Sequence, residues 1–130
     1  MNTSKHTDHT KDEILKYLEI VKKCVNRGSF TVSLTEHNEK NILFIEKYKL
    51  SSSKVKQMLL ELEVTDFCYS VDNYNFPQER LYIFCRKYEL NNWGWIENIE
   101  VYVKIALKRN SFAVIVSFHT PEKKIQRLFE

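Results

Sequence analysis

Apolar residues recur every three or four positions in the first half of the chain and every second position in most of the second half. Ile14, Leu18, Val21 and Val25 fall at helical spacing. Thr10 followed by Glu13 is a capping box, which predicts a helix beginning there. Lys22, Lys23 and Arg27 crowd its last turn, where cations suit the helix dipole, and Gly28 is the natural stop. Residues 29–35 read as a connector with a short extended piece at Phe30-Thr31-Val32. Ile42, Ile45 and Tyr48 predict a second, short helix from about Glu36 to Lys49. Ser51 can cap a third, with Val55, Met58, Leu59 and Leu62 as its buried stripe.

Beyond residue 80 the period changes. Leu81, Ile83 and Cys85 alternate with Tyr82, Phe84 and Arg86. Ile99, Val101, Val103, Ile105 and Leu107 alternate with a more polar set, and Phe112, Val114, Val116 and Phe118 do the same. Such alternation predicts half-buried strands, with a weaker one near Val64–Tyr69. The expected architecture is α+β: three N-terminal helices packed on an antiparallel sheet of three to four strands. Residues 1–9 read as a mobile tail and residues 10–130 as a single domain.

Lys108-Arg109-Asn110-Ser111 separates the last two strong strands and suggests a hairpin. Pairing Leu107 with Phe112, Ile105 with Val114, Val103 with Val116 and Val101 with Phe118 sets apolar against apolar. The other face would then carry Tyr102 opposite Ser117 and Glu100 opposite His119, with Lys104 two residues from Tyr102. If Leu81 and Ile83 also point inward, one sheet face presents Tyr82, Arg86, Tyr102, Lys104 and His119. Fixed cations, an imidazole and aromatic rings make a seat for a phosphate flanked by bases. The same residues equally suit an ordinary solvated sheet face. Trp93-Gly94-Trp95 could stack bases or anchor a long loop.

Composition narrows the chemistry. The 130 residues are 43% hydrophobic and 13% aromatic, too rich for a disordered chain. With Gly28 and Gly94 as the only glycines, Gly-rich phosphate loops are excluded. The net charge of +3 permits nucleic-acid binding without arguing for it. No apolar run is long enough to span a membrane. The polar opening MNTSKHTDHT lacks a signal peptide's apolar core, so a cytoplasmic location is expected. Cys24, Cys68 and Cys85 form no CxxC pair and read as free thiols. No motif suggests a metal, a cofactor or an activated serine, and His6 and His9 lie in the tail.

Several short segments carry a family likeness: LEVTDF at 62–67, LYIF at 81–84, VYVKI at 101–105 and IVSFH at 115–119. Over roughly residues 12–119 the chain resembles the MqsR-type toxins of bacterial toxin–antitoxin pairs. The resemblance implies a RelE-like fold, with helices against a curved antiparallel sheet. It implies a ribonuclease that cuts mRNA without a metal or other cofactor and is neutralised by an antitoxin protein. The family's strand tyrosine and lysine correspond to Tyr102 and Lys104, its strand-end position to His119, and a tryptophan to Tyr82. Tyr69 stands where some members have lysine, and Ile83 where a glutamine is a catalytic candidate. On this reading His119 is the acid or base and Tyr102 shares the proton. Lys104 and Arg86 balance phosphate charge, while Tyr82, Trp93 and Trp95 stack RNA bases. The alternative is a non-catalytic module that binds a protein or nucleic acid through the same face.

Overall fold

The Thr10 hydroxyl accepts the Glu13 backbone N–H at 3.2 Å, while the Glu13 carboxylate accepts the Thr10 backbone N–H at 3.4 Å. This reciprocal cap opens helix α1, Lys11–Asn26, in a computed structural model that describes residues 5–76 and 78–129. Ile14, Leu18, Val21, Cys24 and Val25 form its buried stripe. Gly28, at φ +77°, ends it: the Gly28 N–H reaches Val25 O and the Ser29 N–H reaches Cys24 O. That is a Schellman closure, which needs a left-handed residue at this position. Helix α2 spans Glu39–Lys47 after a 3₁₀ turn at Glu36–Asn38, and α3 spans Ser52–Leu60 behind its Ser51 cap.

Six strands form one sheet: β1 (Lys5–His6), β2 (Phe30–Val32), β3 (Phe67–Asp72), β4 (Arg80–Asn92), β5 (Trp95–Lys108) and β6 (Phe112–His119). Their order across the sheet is β1-β3-β4-β5-β6-β2. The α+β class holds, but the expected antiparallel sheet of three to four strands behind three N-terminal helices does not. Strand β1 precedes α1, and β2 lies between α1 and α2. The sheet is mixed, because β2 runs parallel to β6. Of the two edge strands, the two-residue β1 leaves no periodic signal, and β2 coincides with the extended piece expected at Phe30-Thr31-Val32, which alternation alone could not assign to the sheet. Residues 1–4 of the expected tail lie outside the described residues, whereas Lys5 and His6 pair with Val71 and Ser70. The weak strand placed near Val64–Tyr69 resolves into a 3₁₀ turn at Val64–Asp66 followed by β3.

The β5–β6 register also departs from expectation. Arg109 and Asn110, both at positive φ, leave Lys108 rather than Leu107 opposite Phe112. The one-residue slip turns Ala113 and Ile115 inward and leaves Phe112 37% exposed. A bulge at Val116 then restores Phe118 to the core. Asn41 on α2 holds this irregularity: its amide donates to Ser33 O at 2.8 Å and Val116 O at 3.0 Å, and its carbonyl accepts the Phe118 N–H at 2.7 Å.

Both sheet faces are covered. The helices pack on Phe67, Phe84, Tyr88, Val101, Val103, Ile105 and Phe118. The other face bears a second apolar cluster of Cys68, Val71, Ile83 and Cys85. Ile125 packs on that cluster, from the irregular segment 120–129 that follows β6. The strap is anchored by the Leu128 N–H on Phe67 O at 2.9 Å, by the Arg127 guanidinium on Cys85 O at 2.8 Å, and by an Arg127–Glu100 ion pair.

Candidate functional site

Strands β6, β5, β4 and β3 set two rows of side chains on the strap-covered face. One row runs His119, Tyr102, Cys85, and the other runs Ser117, Lys104, Ile83, Tyr69. Between these rows and the strap lies a cleft of about 760 Å³, lined also by Lys5, Lys123 and Lys124. The slip at the turn and the bulge each move the pairing by one residue. Tyr102 faces His119 rather than Ser117, and Lys104 faces Ser117.

The Tyr102 and His119 rings stack at 5.6 Å with 21° between their planes. His119 Nδ1 lies 2.7 Å from Thr120 O. A carbonyl only accepts, so Nδ1 carries the proton and the neutral ring leaves a lone pair on Nε2. Burial lowers the His119 pKa; the Thr120 carbonyl opposes this, and Lys40 and Lys104 add to it. Burial also raises the Tyr102 hydroxyl well above its ordinary value, and the neighbouring Tyr69 hydroxyl adds to the shift. Neutral imidazole beside neutral phenol is an acceptor next to a donor.

Burial lowers the pKa of Lys104. Among the described residues no carboxylate lies within 4 Å of Lys104, Lys5, Lys123 or Lys124. Lys5 Nζ stands 4.5 Å above the Tyr69 ring, and Lys104 Nζ lies 5.9 Å from the Tyr102 ring centre. Glu122, also in the cleft, is held by Lys40. The cleft thus has cations in excess and suits an anion. Among the described residues no three His, Cys, Asp or Glu side chains gather as a metal would require.

The structure therefore brings together Tyr102, Lys104 and His119, and separates the other expected residues from them. Tyr82 points to the helix face, stacked on Tyr17 at 3.9 Å. Arg86, paired with Val101 in the ladder, is bound to Asp66 at 3.1 Å and Glu63 at 3.3 Å. Trp93 and Trp95 flank the tip of the β4–β5 hairpin, 78% and 77% exposed, with Lys49 4.1 Å over the Trp93 ring. The misplacement of Tyr82 and Arg86 has one cause. Strand β4 is apolar on both faces, so alternation alone could not say which set meets the helices. Tyr69, read in the sequence only as the end of a weak strand and as a departure from the pattern of the toxins that the chain resembles, is a wall of the cleft. Lys5, Lys123 and Lys124 had no sequence signal, since they reach the cleft by strand pairing and by the strap.

A second constellation resembles a catalytic relay and is not one. His9 Nε2 lies 2.8 Å from Ser70 Oγ, and Nδ1 lies 3.2 Å from Glu13. Ser70 is 0% exposed, sealed beneath the His9 ring, so no substrate reaches its hydroxyl. The contact instead clamps the segment between β1 and α1 onto β3.

No family model matches the sequence, and no curated protein matches it.

Proposed function

We propose that the protein is an endoribonuclease that cuts single-stranded RNA without a metal ion, acting as the toxin of a toxin–antitoxin pair. The observation that carries this reading is the Tyr102–His119 stack beside Lys104, with the bare Nε2 of His119 in a lysine-lined cleft. In the proposed reaction Nε2 takes the proton of a ribose 2′-hydroxyl. The 2′-oxygen bonds to the adjacent phosphorus as the bond from phosphorus to the 5′-oxygen breaks. Tyr102 protonates the departing oxygen and recovers a proton from His119, while Lys104 balances the charge that builds on phosphate. The products are a 2′,3′-cyclic phosphate and a 5′-hydroxyl. The resemblance to MqsR-type toxins supports mRNA as the substrate, a cytoplasmic location and neutralisation by a cognate antitoxin.

The test is incubation of the purified protein with end-labelled RNA in EDTA. Persistent cleavage with 2′,3′-cyclic ends is expected. Activity lost on chelation and restored by magnesium would overturn the mechanism. RNA bound but left intact would favour the alternative of a non-catalytic binding module.

A further inference from the structure

Two segments far apart in sequence, β1 and the strap, converge on the cleft, and each brings lysines that no carboxylate among the described residues neutralises. Their placement is built rather than incidental. Lys5 is held by pairing with Val71, and its neighbour His6 bonds Asp72 at 3.0 Å. Lys123 and Lys124 lie between two fixed points of the strap: Glu122, tied to Lys40, and Ile125, packed on the sheet. Ammonium groups gathered without counter-ions repel one another and lower the cost of binding a chain of negative charge.

We infer that Lys5, Lys123 and Lys124 form a binding site for the phosphates flanking the scissile one, so that the RNA backbone threads between the strap and the sheet. The inference rests on the proposed reading of this site as an RNA site. A polyanion is indicated because the free cations come from three separate places: β1, β5 and the strap. Nucleic acid is favoured over an acidic peptide because the floor between them is aromatic. Tyr69, beneath Lys5, and the stacked Tyr102 and His119 rings supply the aromatic lining that bases favour.

The test uses the full chain and a 2′-O-methyl RNA oligonucleotide, which binds but offers no 2′-hydroxyl to react. Fluorescence anisotropy is followed across a salt series. For single strands, each phosphate neutralised by the protein contributes a slope of about −0.7 in log K against log salt. The Lys5→Ala, Lys123→Ala, Lys124→Ala triple variant should therefore flatten the slope by about 2 and weaken binding severalfold at low salt. A Lys16→Ala, Lys23→Ala control on α1 should keep the wild-type slope. All five lysines are exposed, so each variant should fold, which a thermal melt verifies.

If unmodified RNA is cut but the triple variant keeps the wild-type slope, the flanking site is wrong and the nuclease reading stands. If the oligonucleotide binds with the lysine-dependent slope yet unmodified RNA is never cut, the flanking site stands and the nuclease reading falls. Binding of poly-glutamate as tight as that of RNA would overturn the assignment of the occupant. Absence of any RNA binding would overturn both.

Discussion

His119 and Tyr102 occupy one rung of the β5–β6 ladder, and their rings stack with 21° between the planes. Their adjacency depends on one extra residue, Val116, which shifts everything after it along β5. His119→Ala should slow RNA cleavage by about 10²–10⁴-fold, the usual range for loss of a positioned proton-transfer group. Tyr102→Phe should slow it within the same range. Groups acting as one unit are strongly non-additive, so the double variant should be little worse than either single. Initial rates on a fluorogenic RNA, paired with melting curves, check this. Wild-type rates in both singles would remove these residues from the mechanism.

The pH profile follows from the environment of His119. Burial lowers its pKa, so the imidazole stays neutral, and competent as a base, to a lower pH than a free histidine. The acid limb of the cleavage profile should therefore have its midpoint below about 6.5. The same shift has a stability consequence. The folded protein binds this proton less readily than the unfolded chain does. Its contribution to stability is then complete above the unfolded value and is lost as pH falls through the folded one. An acid limb centred at or above the free-histidine value would contradict the assignment.

The inward side of β6 separates the two possible registers. Ile115 is 0% exposed and Phe112 is 37% exposed. Ile115→Ala should cost about 2–5 kcal/mol, as cavity-forming changes do. Phe112→Ala should cost about 1 kcal/mol or less. Urea unfolding of the two variants measures the contrast, and the reverse order would restore the register read from alternation.

Asn41 should prove one of the costliest single polar residues to remove. It satisfies the Phe118 N–H and the carbonyls of Val116 and Ser33, all beside the bulge. A buried group left without a partner costs about 1–3 kcal/mol. Asn41→Ala should therefore lose about 2–4 kcal/mol, allowing for partial rearrangement. It should also lower cleavage more than the fall in folded fraction explains, because the bulge sets where His119 stands. Activity that tracks the folded fraction alone would deny Asn41 any positioning role.

The cleft-side thiols should be inert. Burial pushes Cys68 up to about 12 and Cys85 up to about 11. At pH 8 their thiolate fractions are then about 10⁻⁴ and 10⁻³. Ellman's reagent should label neither in the native protein and both at once in denaturant. Fast native labelling of Cys68 would show that its sulfur is more open than its 2% exposure implies.

Much of the local structure is legible in the chain itself. Thr10 and Glu13 are three residues apart, so the start of α1 is written locally, and so is its end at Gly28. The α+β class follows from the change of period, because helix and strand each impose their own spacing of apolar side chains. Tyr102 and Lys104 share a face in any register, since they lie two apart on one strand. What the sequence leaves open is phase. In α2 the inner stripe is Asn41, Phe44 and Tyr48 rather than Ile42, Ile45 and Tyr48, and a polar residue at an inner position defeats a pattern built on apolarity.

Only the tertiary structure decides which face of β4 meets the helices, because Tyr82 and Phe84 are as apolar as Leu81, Ile83 and Cys85. That choice sends Arg86 to Asp66 instead of to the cleft. The strap is likewise invisible beforehand. Residues 120–129 have no period, and they are held by the Leu128 N–H on Phe67 O and the Arg127 guanidinium on Cys85 O, more than forty residues away. The helices and the long strands mark themselves by a spacing of apolar side chains within a few residues, which a sequence displays. The cleft comes from contacts between distant segments whose energies are comparable whichever way a two-faced strand is turned, and only the assembled fold resolves them.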